Sequence, residues 1–144
     1  MNLELAGFAK AELSGSIFNG ANLDKCVFFE ADLANTSFEN ISGHNCVFTA
    51  AKISNASFKN ALLSFSQFER AVFNNVDFVS SQLSHANFIS ASLENCNFSG
   101  AAVKGADFHF IEEKNCLWND VEKASALPLD QERIKAHNWQ SQEK

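Results

Sequence analysis

An apolar residue returns at every fifth position through most of this chain, and no ordinary secondary structure has that period. The centres run Leu3, Phe8, Leu13, Phe18, Leu23, Phe28, Leu33 and Phe38, and hold one register without insertion to Phe108. Gly43 is the one centre that is not large and apolar. Two residues before a centre the side chain is almost always small, as at Ala6, Ala11, Ser16, Ala21, Cys26 and Ala31. The other three positions are mostly Asn, Ser, Asp, Glu, Lys and Gly. A helix repeats every ~3.6 residues and a strand every ~2, so neither explains the spacing. A fixed, longer repeat is the signature of units that bury their apolar faces by stacking.

The blocks "ANLDK", "ADLAN", "ANFIS" and "ADFHF" follow a pattern A-(D/N)-L-x-x. In this the chain resembles the pentapeptide-repeat family, over residues 1 to about 110. The resemblance implies an all-β fold, a right-handed quadrilateral parallel β-helix with four pentapeptides per coil. About six such coils would make a rod roughly 29 Å long at ~4.8 Å per coil. The expected division is a repeat solenoid over 1–120, followed by a short C-terminal α-helical cap and tail over 121–144.

Four blocks per coil also explain why Leu and Phe alternate. Residues twenty apart lie on top of one another, and alternate blocks fall on opposite walls. Phe8, Phe28, Phe48, Phe68, Phe88 and Phe108 form one column; Phe18, Phe38, Phe58, Phe78, Phe98 and then Trp118 form the opposite one. Leu, Ile, Val and Phe73 fill the other two. The rings are expected to stack offset and to close a core at crystalline density. Gly43 looks like a hole, but its small-residue slot holds Ile41, which is expected to fill the missing volume.

A chain of 144 residues suits one domain. It has no apolar run long enough for a bilayer. The repeat starts almost at Met1, with no basic-apolar leader, so a cytoplasmic protein is expected. Cys26 and Cys46 differ by twenty, as do Cys96 and Cys116, and all four occupy the small inward slot. Parallel, in-register side chains aim the same way, so free buried thiols are expected rather than bridges.

Block geometry is expected to fail at Glu113, where a charge would enter the core. "CLWND" is the last plausible block. In "ALPLDQERIKAHNWQSQEK", Pro128 suits a first helical turn. Asp130 and Glu132 followed by Arg133 and Lys135 complement a helix dipole. Leu127, Ile134 and Trp139 are placed to face the last coil. The helix is read as a cap, since a solenoid end exposes strand edges; a homodimer through a coil end is the alternative. At the N-terminus, either Met1 and Leu5 close the first coil weakly or that coil packs on a partner.

No catalytic constellation, metal motif or phosphate loop emerges, so no enzyme activity and no cofactor are expected. Neither direct nucleic-acid binding nor membrane attachment is expected. Some members of the resembled family bind DNA gyrase or topoisomerase IV as acidic DNA mimics, which makes such an enzyme one candidate partner. Here the formal net charge is −6, with Glu4, Glu12, Asp24, Glu30, Asp32 and Glu39 as the candidate acidic surface. Their columns run into Lys52 and His44, so a mildly acidic soluble surface is the favoured reading. The preferred function is a protein-interaction scaffold with an unidentified partner. Its candidate contact patch is Val27, Phe29, Val47 and Ile89 on one wall and Leu62 and Phe65 on the adjoining one, with Val72 and Val79 also outward. Drift in a tolerant repeat, or self-association, would leave the same residues outside. An exported bacterial effector is a further alternative.

Overall fold

The chain turns a corner every fifth residue, and that residue has a positive φ at every corner from Leu5 to Asp120. Asn holds eight of these positions, among them Asn35 (φ 57°), Asn55 (φ 51°) and Asn75 (φ 56°). Asn tolerates the left-handed region better than other residues with a Cβ, because its short side chain bonds locally. Most corners close with a hydrogen bond across four residues, as where Ala6 N–H donates to Leu3 O at 2.9 Å. A positive φ at the third residue of such a turn is the type II pattern.

The residue before each centre also has a local task. Its carboxamide or carboxylate oxygen accepts the N–H two residues on: Asn2 from Glu4 (3.0 Å), Asp32 from Ala34 (3.1 Å), Asp77 from Val79 (2.8 Å), Asn87 from Ile89 (2.9 Å). This Asx bond explains why Asp and Asn recur there.

A computed structural model describes residues 1–128 and shows the blocks wound into a four-sided parallel β-helix. Equivalent positions pair twenty residues apart on every wall, as in Asn2↔Asn22, Gly7↔Val27, Glu12↔Asp32 and Ile17↔Ser37. The four walls are named first to fourth, by the centres Leu3, Phe8, Leu13 and Phe18. On the third wall the corners open, and the segments lengthen into strands β1 (Lys52–Ser54), β2 (Val72–Asn74), β3 (Ser92–Glu94) and β4 (Glu112–Lys114). They form one parallel sheet in that order.

The core is two phenylalanine ladders meeting at right angles. Within a ladder the rings stack: Phe28 on Phe48 at 4.9 Å and 4°, Phe38 on Phe58 at 4.8 Å and 3°. Between ladders they meet edge to face, as Phe28 and Phe38 do at 5.7 Å and 87°. Both geometries suit the ring quadrupole. Phe73 enters from the third wall and leans on Phe68 and Phe88 at 5.7 and 5.9 Å.

The small slot fills the corners. All four cysteines there are free thiols. Cys26 Sγ donates to Leu3 O and Cys46 Sγ to Leu23 O, each at 2.9 Å. Ser66 Oγ accepts the Cys46 N–H at 3.1 Å and donates to Gly43 O at 2.8 Å. Ser81 Oγ is equally buried but has no partner among the described residues. At Gly43 an added Cβ would lie 2.9 Å from Ile41 Cδ1 and 3.1 Å from Leu63 Cδ2, so these side chains already occupy the space.

Two expectations change at the ends. The block at Glu113 does not fail: β4 pairs with β3 in register, Leu93 opposite Glu113, and Asn115 turns the corner with φ 55°. Among the described residues no further coil covers the carboxylate; Glu113 is exposed and accepts the Trp118 indole N–H. Trp118 crowns the Phe98 column at 4.3 Å and 4°. The expected C-terminal helix falls on residues 129–144, outside the described residues. Before them there is only a 3₁₀ turn, Lys123–Ser125. At the other end Met1 and Leu5 are 75% and 70% exposed and do not cover the first coil.

Ile41→Ala should lower unfolding free energy by ~2–5 kcal/mol, since it reopens the space beside Gly43; urea denaturation would show it, and a cost near zero would refute the compensation. The two buried serines should move in opposite directions by about 1 kcal/mol in the same assay. Ser81→Ala removes an orphaned hydroxyl and stabilises; Ser66→Ala strands the Cys46 N–H and destabilises.

Candidate protein-contact surface

On each wall the two residues flanking a centre point outward, so every wall carries two columns of surface side chains. On the second wall the first column runs Gly7, Val27, Val47, Gln67 and Asn87, paired coil to coil. The second column runs Ala9, Phe29, Thr49, Glu69 and Ile89. Phe29 lies between Ala9 and Thr49: its carbonyl accepts the Lys10 N–H, and the Glu30 N–H reaches Thr49 O. Val27, Phe29 and Val47 therefore form a continuous, half-buried, uncharged strip across two neighbouring coils, the second and third.

The remaining apolar residues do not extend that strip. Asn87 Nδ2 donates to Glu69 Oε1 at 2.5 Å and to Gln67 Oε1 at 3.1 Å, and this polar clasp separates Ile89 from it. Leu62 lies on the first wall and Phe65 at the corner between the first and second, one coil below the strip, 40% and 53% exposed. Val72 is on the third wall and Val79 on the fourth.

Phe65 belongs to a surface ladder that reading block by block does not reveal. His85 stacks on it at 4.8 Å and 14°, and a side chain at Gly105 would collide with the imidazole. The twenty-residue spacing of Phe65, His85 and Gly105 is the signal that finds it.

The six candidate acidic residues all lie in the first two coils, spread around the rod and not along one face. Glu4 and Asp24 are on the first wall, Glu12 and Asp32 on the third, Glu39 on the fourth, and Glu30 at the corner between the second and third. On the third wall Glu12 stacks on Asp32, and the column reaches a base only at Lys52. Asp24 meets His44 at 3.3 Å on the first wall, and across neighbouring columns of the fourth wall Lys59 meets Asp77 at 3.5 Å.

Asp24 also gathers a serine and a histidine. Ser42 Oγ donates to its Oδ1 at 2.8 Å, the His44 N–H donates to the same oxygen at 2.9 Å, and His44 Nδ1 lies 3.3 Å from both Asp24 Oδ1 and Ser42 Oγ. In an acyl-transfer triad the imidazole stands between hydroxyl and carboxylate, one ring nitrogen to each. Here both contact Nδ1, and the hydroxyl proton goes straight to the carboxylate. The cluster braces adjacent coils. Burial pushes the Asp24 carboxyl up, but the bonds from Ser42 and His44, together with the His44 charge, outweigh it and hold the carboxyl below its usual value.

The thiols are chemically quiet. Burial pushes Cys46 and Cys96 up to about 12, and thiolate is the reactive form. Among the described residues there is no group of His, Cys, Asp or Glu placed to hold a metal ion. No helix among them is long and apolar enough to cross a membrane.

The profile of a family described as pentapeptide repeats matches residues 6–42, 26–64, 44–79 and 71–109, with eight copies. Among solved structures, HetL from the cyanobacterium Nostoc, a pentapeptide repeat protein involved in heterocyst differentiation regulation, is similar at 26% identity and TM-score 0.57. The match covers 87% of this chain and 56% of HetL, so the chain spans about half of that protein's length. QnrB1, a plasmid-mediated fluoroquinolone resistance protein, is 17% identical with TM-score 0.42, covering 97% of this chain and 95% of its own. A pentapeptide repeat protein of the Arabidopsis thaliana thylakoid lumen is 24% identical with TM-score 0.37, covering 90% and 75%. No curated protein sequence matches.

Because the folded-state pKa of Asp24 lies below the ordinary 3.8, its interactions stabilise the fold above that pH and are lost as pH falls through the lowered value. Asp24→Asn should therefore cost ~0.5–1 kcal/mol at neutral pH. The gap to the parent protein should close in acid. Thermal melts across pH would show it, and a gap that widened on acidification would contradict the assignment.

Proposed function

Since the chain belongs to the pentapeptide-repeat family, we propose that it is a non-enzymatic interaction protein that presents its second wall to a protein partner. The observation that carries this reading is the strip of Val27, Phe29 and Val47, continuous across paired coils and free of charge. An apolar surface on a rigid scaffold loses little conformational entropy on binding. Phe29 supplies the large aromatic surface on which contact energy concentrates. HetL, the similar protein with a regulatory role, lends support to a role in regulation by contact. Four free thiols suit a reducing compartment such as the cytoplasm.

The charge layout favours this reading over mimicry of duplex DNA bound by gyrase or topoisomerase IV. Duplex DNA carries one charge per ~1.7 Å of axis. The acidic groups here occupy three walls and a corner, and several stack against His or Lys.

A photo-crosslinking residue placed at Phe29, at Val47, or at Ser57 on the opposite wall would test the proposal in cells of the source organism. The expected result is one discrete adduct from positions 29 and 47 and none from 57. Equal, diffuse labelling from all three would refute it.

A further inference from the structure

The second wall carries opposite charges at its two edges. In the second coil the corner entering the wall is Lys25 and the corner leaving it is Glu30; in the fourth coil they are Phe65 and Arg70. All four side chains are exposed. Among the described residues none of Lys25, Glu30 and Arg70 takes part in an ion pair. Between Lys25 and Glu30 lie Val27 and Phe29 of the apolar strip.

A second copy of this wall is the complement of that layout. Two identical walls pack face to face about a two-fold axis, so every contact occurs twice. With the axis parallel to the rod, both rods run the same way and each segment faces its own counterpart running the opposite way. Lys25 then faces Glu30 of the second copy, Val27 faces its Phe29, and Arg70 faces its Phe65. A coil climbs ~4.8 Å in twenty residues, so corners five residues apart differ by about 1.2 Å in height and the facing groups are level. Phe65 is backed by the His85 ring, which makes it a fixed platform for a guanidinium. No like charges stand directly opposed. With the axis across the rod, three alignments bring strip against strip, and each is worse. Centred on the second coil, Lys25 and Glu30 each face themselves. Centred between the second and third coils, Lys10 faces Arg70. Centred on the third coil, Phe29 faces Glu69.

We propose that the partner of the second wall is a second copy of this chain, paired side by side with the two rods parallel. This rests on the second-wall reading above and names its partner. A wall ~29 Å tall and one segment wide is smaller than a standard interface, so the pair is of the weak, reversible class. The strip is then covered when the chain is abundant and open when it is scarce.

Sedimentation velocity on the full chain, from about 5 to about 500 µM, should show a monomer passing into a dimer. Lys25→Glu alone, or Glu30→Lys alone, sets like charges face to face twice per dimer and should raise the dissociation constant roughly tenfold or more. Both changes together should return it to within about threefold of the parent, which also shows that neither acts through the fold. A monomer at every concentration, a dimer indifferent to the single reversals, or no rescue by the double reversal would overturn the proposal. The photo-crosslinking residue at Phe29 separates it from the reading on which it rests. An adduct of twice the chain's mass supports both, a discrete adduct of any other mass overturns self-pairing alone, and diffuse labelling overturns both.

Discussion

Everything in this rod depends on a left-handed corner at every fifth residue. The corner turns the chain after a segment too short to be an ordinary strand, so four segments return it to its starting point one layer on. Backbone hydrogen bonds of 2.6–3.2 Å then tie each layer to the next. Because the layers are in register, any property of one block is stacked on the same property twenty residues away. Phenylalanine makes ladders, alanine makes corners and asparagine lines the turns. Register also explains the tolerance for Phe65 and Phe110 at corners, both with φ 61°. Neighbouring layers over-determine the turn, so an unfavourable residue is carried along.

The core was legible because its spacing is a whole coil. The phenylalanine columns, the crowning Trp118, the free cysteines and the filling of Gly43 by Ile41 all follow from reading twenty residues on. The surface was less legible because its contacts use another offset. Ser42 reaches Asp24, Ser57 reaches Glu39, Ser37 reaches Asn19 and Asn87 reaches Glu69, each across eighteen residues. The residue before one centre meets the residue after the centre one coil earlier. Block-by-block reading does not look for that step, so the Asp24–Ser42–His44 cluster and the clasp isolating Ile89 were missed. Glu113 was misjudged for a different reason. A charged centre is costly only if another coil covers it, and at that position none follows among the described residues.

The same logic limits where function can reside. Inward positions are committed to packing, and many outward polar groups are engaged with the coil above or below. A surface residue that neither packs inward nor clasps its neighbour is therefore informative. The strip on the second wall meets that condition across two paired coils. The acidic residues do not form a comparable run, because the coil places them on separate walls and sets bases beneath several of them.

The central claim is that register, more than any single contact, specifies this fold. The direct measurement is to compare two insertions after Asn60, one a single alanine and the other a duplicate of residues 61–80. The duplicate adds a whole coil and keeps every column intact, so unfolding should remain cooperative and stability should hold or rise. The single alanine moves every later centre off its wall and should abolish the cooperative transition of the coils beyond it. Equal tolerance of both insertions, or loss of folding on coil duplication, would contradict the account.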